Sequence, residues 1–185
     1  YFYTRVGGVI GYALSDPIIA NAYNNGDITI NEGVETSSLI VGGIVATQTY
    51  TKSGGGSLTN SINRGDITLE SNMPDYEGYY MIGGITGWNQ CAIENCENYG
   101  NITSSSRLFD ATDDETTLSI GGIAGYKTIA AIRNSKNDGD VTFTGSVETT
   151  EAAKLADVNL NIGALVGYST YAFYDMFNEG DITIE

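Results

Sequence analysis

Asn98-Tyr99-Gly100-Asn101-Ile102-Thr103 is one of five versions of a single phrase. The others are Asn24-Asn25-Gly26-Asp27-Ile28-Thr29, Asn63-Arg64-Gly65-Asp66-Ile67-Thr68, Asn137-Asp138-Gly139-Asp140-Val141-Thr142 and Asn178-Glu179-Gly180-Asp181-Ile182-Thr183. Their glycines are 39, 35, 39 and 41 residues apart, a period that marks a repeat architecture. A second phrase precedes each: Val6-Gly7-Gly8-Val9, Val41-Gly42-Gly43-Ile44, Ile82-Gly83-Gly84-Ile85, Ile120-Gly121-Gly122-Ile123 and Ile162-Gly163-Ala164-Leu165. The stretch between the two phrases is nearly constant. The stretch that follows lengthens down the chain, and the second repeat carries an extra flexible insertion, Thr51-Lys52-Ser53-Gly54-Gly55-Gly56.

Aligned on the turn glycine, the columns predict geometry. Seven positions earlier stand Ile19, Leu58, Ile93, Ile132 and Phe173, always large and apolar. Four earlier stand Ala22, Ser61, Cys96, Ser135 and Met176, mostly small. Two earlier is Asn in every copy; five earlier are Asn21, Asn60, Asn95, Asn134 and Asp175, types that tolerate left-handed backbone. After the turn, Ile28/Ile30, Ile67/Leu69 and Ile182/Ile184 alternate with polar residues, the period of a half-buried strand. Leu118 and Ile120 share one parity and Ile123 breaks it, so a bend belongs at Gly121-Gly122. No stretch reads as a helix.

One coil of short strands cannot bury its apolar face alone. Stacked at the ~4.8 Å spacing of parallel strands, coils cover one another and place like residues in ladders. The expectation is an all-β fold, a right-handed parallel β-helix (a β-solenoid) of about five coils. It forms a single domain over residues 1–185, with repeats near 1–38, 39–78, 79–116, 117–158 and 159–185. The opening Tyr1-Phe2-Tyr3 and the closing Ile184-Glu185 read as a mature or excised piece of something longer, with flanking coils of the parent protein as expected neighbours.

The pattern G-G-I-x-G-aromatic, then I-x-N-x-x-N-x-G-D-I-T, resembles the GLUG-type repeat of bacterial surface proteins. That repeat occurs in large secreted or cell-wall polypeptides, including regions beside immunoglobulin-A-cleaving metallopeptidases and adhesin-like proteins. The likeness covers all five copies. Departures are Ala46 for the third glycine, Ala164 for the second, and Asn101 for the turn Asp. The resemblance implies a β-helical surface module and carries no catalytic residues.

Composition narrows function. With 23 acids, 8 bases and a net charge of −15, the chain repels phosphate backbones, so nucleic acid is not an expected partner. It has no histidine, which removes the usual general base and metal ligand. No apolar run approaches the ~20 residues of a spanning helix, so membrane insertion is not expected. Cys91 and Cys96 are too few for a disulfide framework; at ~16 Å along a strand they are too far apart to bridge unless the chain turns sharply between them, and Cys96 falls in the small inward column, which favours a buried free thiol over a bond.

Four features are candidates for chemistry, each with an ordinary alternative. The turn acids Asp27, Asp66, Asp140 and Asp181 would hold calcium or act as catalytic carboxylates; alternatively they accept backbone N–H groups, which also explains Asn101 among them. Asp110, Asp113, Asp114 and Glu115 form the densest loop group, with Glu32, Glu35, Asp75, Glu77, Glu148, Glu151 and Asp157 in the equivalent loops. They are candidate calcium ligands or simply a solvated face, and calcium is the one cofactor considered. Tyr12, Trp88, Tyr126 and Tyr168, with Thr47 interrupting, form an outward aromatic column that suits stacking on sugar rings, or else packing under loops. Thr29, Thr68, Thr103, Thr142 and Thr183 resemble the threonine columns of flat ice-binding faces, though a lone Thr ladder is ordinary strand chemistry.

The reading reached from sequence is a non-catalytic β-helical module of a bacterial surface or secreted protein, extracellular or on the cell surface. It serves adhesion, by binding glycan or a host or cell-surface protein, or acts as a stiff spacer. The alternative is a carbohydrate-active β-helix enzyme, a polysaccharide lyase or glycoside hydrolase, disfavoured by the missing histidine, the scarcity of bases and the lack of an acid pair that breaks the repeat.

Overall fold

Each repeat supplies one short strand to each of five sheets, and each sheet is five strands deep. The computed structural model describes residues 3–31, 38–51, 55–73, 78–109, 116–148 and 158–185. The first sheet stacks Tyr3–Gly7, Ser38–Gly42, Gly78–Gly83, Thr116–Gly121 and Val158–Gly163. The second stacks Ile10–Ala13, Val45–Gln48, Thr86–Asn89, Ala124–Lys127 and Val166–Ser169. The third and fourth are built from two- and three-residue strands, from Ile18–Ala20 and Tyr23–Asn24 in the first rung to Phe173–Tyr174 and Phe177–Asn178 in the last. The fifth holds Ile28–Ile30, Ile67–Met73, Ile102–Phe109, Val141–Glu148 and Ile182–Ile184.

All the pairings are parallel, and each joins residues one repeat apart. The columns predicted from the turn glycine are therefore real ladders: Ile67 lies beside Ile28 and Ile102, Asn98 beside Asn63 and Asn137. The fold is a parallel β-solenoid, and no helix occurs among the described residues.

The corners obey the sequence as well. Asn21, Asn60, Asn95, Asn134 and Asp175 have φ of 55°, 49°, 54°, 46° and 51°, the left-handed conformation that these types adopt with least strain. In the small column, Ser61 Oγ and Ser135 Oγ accept the N–H groups of Ala22 and Cys96, one rung away, and donate back to the carbonyls of Thr59 and Arg133. Cys96 lies buried in this column and Cys91 is buried elsewhere, and both are free thiols.

The interior is two apolar cores, not one. Leu39, Val41, Tyr80, Ile82, Leu118 and Ile120 from the first sheet pack against Ile28, Ile67, Leu69, Ile102, Val141 and Phe143 from the fifth. Ile44, Ile85 and Ile123 pack with Ile19, Leu58, Ile93, Ile132 and Cys96 in the second. At the glycine-pair corner a ladder of asparagines lies inside the tube: Asn24 Nδ2 donates to Asn63 Oδ1 at 2.8 Å, Asn63 to Asn98 at 2.8 Å, Asn98 to Asn137 at 2.7 Å and Asn137 to Asn178 at 3.0 Å. Each of these amides also donates to the carbonyl of its own turn glycine.

This ladder explains why the two sequence phrases travel together. A Cβ on Gly84 would sit 2.3 Å from Asn98 Cγ and 2.2 Å from the Gly122 carbonyl oxygen, closer than any real contact. The glycine pair makes the bend, as expected, and its second member also leaves the space that the asparagine fills.

Candidate functional site

The outward residues are where a ligand can touch. Tyr12, Thr47, Trp88, Tyr126 and Tyr168 form one register column on the second sheet, as the spacing predicts. The column is not one flat platform. Tyr126 and Tyr168 stack with centroids 4.8 Å apart and planes 11° off parallel, whereas Tyr12 is separated from Trp88 by the rung of Thr47, which is fully buried.

Part of the column has a packing duty. Ile40, Ala46 and Met81 form a third apolar cluster, outside the two interior cores, and Trp88 and Tyr126 lie half-buried against it. Of the two readings of the column, ligand stacking or packing, these two rings take part in packing, against an apolar cluster. Tyr12 and Tyr168 stay exposed.

Ile40 and Met81 belong to the outer face of the first sheet, in the column Arg5, Ile40, Met81, Ser119 and Asn161. Beside it runs Tyr3, Ser38, Tyr79, Thr117 and Asn159. These walls meet the aromatic column to form a groove. Its apolar part, about 220 Å³, is lined by Tyr3, Ile40, Tyr79, Met81, Trp88 and Tyr126. Its polar part, about 340 Å³, is lined by Tyr79, Thr117, Tyr126, Asn159, Asn161 and Tyr168. Tyr79 and Tyr126 line both, so the two parts are contiguous along the solenoid axis.

Two buried side-chain N–H donors lack acceptors among the described residues: the Trp88 indole Nε1, in the groove wall, and the Arg5 Nε, beside the groove-lining Tyr3. The Arg5 guanidinium lies over the Tyr3 ring at 5.0 Å and over Tyr12 at 4.6 Å. The first-sheet wall was missed in the sequence because its residue types change from rung to rung. The alternation that puts Leu118 and Ile120 inside would have put Thr117 and Ser119 outside, and their columns with them.

The turn acids do ordinary work. Asp27 Oδ1 accepts the Asp66 N–H at 2.9 Å, Asp66 accepts that of Asn101 at 2.7 Å, Asn101 accepts that of Asp140 at 3.0 Å and Asp140 accepts that of Asp181 at 2.8 Å. An amide oxygen serves as well as a carboxylate oxygen in that role, so Asn101 fits. The calcium candidates Asp110, Asp113, Asp114 and Glu115 lie outside the described residues. Among the described residues, no three acidic or thiol groups converge to hold a metal ion.

A buried cation was also missed. The strands of the second sheet end in the column Ala13, Gln48, Asn89, Lys127 and Ser169. Gln48 donates to the carbonyls of Pro17 and Ser57, and Asn89 Nδ2 donates to Gln48 Oε1 at 2.7 Å. Lys127 is wholly buried and its Nζ donates to the carbonyls of Thr128 and Ile129. Burial holds its ammonium pKa down at about 7, against a smaller opposing effect of Cys91. Burial likewise pushes the Cys91 and Cys96 thiols up to about 11.

The family model of the GLUG motif matches residues 2–29, the first coil up to its turn threonine. That local match and the parallel solenoid around it agree with a GLUG-type repeat. No curated protein and no solved structure matches the chain.

Proposed function

We propose that this GLUG-type solenoid is a non-catalytic adhesion module of a bacterial surface or secreted protein, acting outside the cell and binding glycan along its outer groove. Trp88 carries the reading. Its ring is half-buried in the wall of an apolar groove, yet its indole N–H is buried without an acceptor among the described residues. That nitrogen is one of eight buried side-chain atoms without a partner among the described residues, so the ring face, and not the N–H, is what a ligand meets. A sugar supplies an apolar ring face that packs on the exposed part of the aromatics. The polar end, with Thr117, Asn159 and Asn161, suits hydroxyl groups further along the same chain.

The turn acids support the non-catalytic half of the proposal, since an oxygen of Asp27, Asp66 and Asp140 is engaged with a backbone N–H. A glycan array followed by titration of the fluorescence of Trp88, the single tryptophan, tests the binding half. Trp88→Ala is expected to weaken glycan binding roughly tenfold or more while the β signature in circular dichroism persists. Absence of any glycan hit leaves the spacer role. Release of new reducing ends from a polysaccharide panel turns the assignment to the enzyme class.

A further inference from the structure

We propose that the glycan carries a carboxylate and that Arg5 holds it; this rests on the reading of the groove as a glycan site. Arg5 stands in the same outward column as the groove residues Ile40 and Met81, and it stacks on Tyr3, which lines the groove. The chain has 23 acids for 8 bases, yet among the described residues no carboxylate pairs with Arg5. Other cations find uses within the fold: Lys136 pairs with Asp138 at 2.7 Å, and Lys127 donates to two carbonyls. Arg64 and Arg133 also cover tyrosine rings, Tyr99 and Tyr174, so stacking alone is not distinctive. What sets Arg5 apart is a position between two rings together with a buried Nε–H that has no acceptor among the described residues.

The physics favours a carboxylate. Stacked between Tyr3 and Tyr12, the guanidinium has already lost much of its rotamer freedom, so less is lost when a ligand arrives. A guanidinium offers parallel N–H donors in its plane, and a carboxylate takes two of them with its two oxygens. The net charge of −15 opposes an anion at long range, but at physiological salt this field is screened beyond ~8 Å while a contact pair is screened much less.

The test is nitrogen–proton NMR of the intact chain, in which the Trp88 Nε1–H and the Arg5 Nε–H report separately. Arg5→Gln assigns the second signal. Three probes of equal length are titrated: a uronic-acid oligosaccharide, its carboxyl-reduced neutral counterpart, and an O-sulfated neutral oligosaccharide. The uronate is expected to bind roughly tenfold or more tighter than the neutral probe. It should move both signals, whereas the neutral probe moves only that of Trp88. Arg5→Gln should reduce uronate binding to about the level of the neutral probe, and Arg5→Lys should fall between. Equal affinity for uronate and neutral probes with an unmoved Arg5 signal overturns the proposal and leaves the groove reading standing. A shift of Arg5 alone upholds the carboxylate contact and overturns the groove reading. Preference for the sulfated probe through Arg5 overturns the carboxylate, and silence of both signals overturns both. If Arg5→Gln fails to fold, Arg5→Lys supplies the assignment and the Arg5 signal of the parent protein still decides.

Discussion

Two polar columns run through the interior of this solenoid, and they are built on opposite plans. In the asparagine column every rung repeats the same side chain, so each amide gives to the next what it receives from the one before. In the column of Ala13, Gln48, Asn89, Lys127 and Ser169 no residue recurs, and no bonding pattern repeats from rung to rung. There Gln48 and Lys127 reach for carbonyls of nearby turns, and Asn89 Oδ1 is left without a donor among the described residues. Translational repetition satisfies hydrogen bonds cheaply only when donor and acceptor sit on one side chain. An amide has both and an ammonium has only donors.

The sharpest way to break the comparison is at the glycine that admits the regular column. Gly84→Ala should be the most costly change, above ~3 kcal/mol, because its Cβ meets both Asn98 and the Gly122 carbonyl oxygen and backbone must move. A chemical-denaturation midpoint close to that of the parent would show that the corner is softer than its packing implies.

Asn98→Ala comes next, at ~3 kcal/mol. It removes three hydrogen bonds, with Asn63, Asn137 and the Gly100 carbonyl, and leaves the Asn137 oxygen buried without a donor. That corresponds to a melting point lower by roughly 6–12 °C. Asn178→Ala, in the exposed last rung, should cost under ~1 kcal/mol. Equal losses at the two positions would mean that the ladder stabilises through its individual turns and not as a chain.

The irregular column should declare itself through pH. Lys127 has an ordinary pKa of 10.5 and about 7 when folded, so between those values the unfolded chain binds more protons than the native one. Stability should therefore rise with pH from 7 upward, by at most ~1.4 kcal/mol per unit. Above about pH 8.5 the opposite effect enters, because the unfolded thiols ionise while the folded ones stay protonated. Thermal melts from pH 7 to about 8.5 should show the rise in the parent and a flat profile in Lys127→Met. A flat parent profile would place the ammonium, fully charged, among the carbonyls of Thr128 and Ile129.

The same contrast accounts for what the sequence disclosed. The asparagine ladder, the left-handed corners, the strand register and the backbone role of the turn acids could be read because identical residues recur at one offset from the turn glycine. Lys127 could not, since it stands in a column whose other members are Ala13, Gln48, Asn89 and Ser169. Half of the groove was legible: the aromatic column recurs, whereas Arg5, Ile40 and Met81 share a wall only by register. Nothing in the spacing signalled that Trp88 and Tyr126 would cover an apolar cluster outside the tube.

The strand ladders join a residue to its counterpart one repeat away, so the coil is also a unit that can be added or removed whole. Removing one coil, from Gly84 through Gly121, would bring Asn63 against Asn137 and Ile67 against Val141, pairings of the kind already present at each step. The seam would be silent in the regular columns and audible only in the irregular ones, where Gln48 would meet Lys127 without Asn89 between them. Such a chain can lengthen or shorten by whole turns without designing a new core. Specialised chemistry can then settle in one rung while its neighbours keep the tube intact.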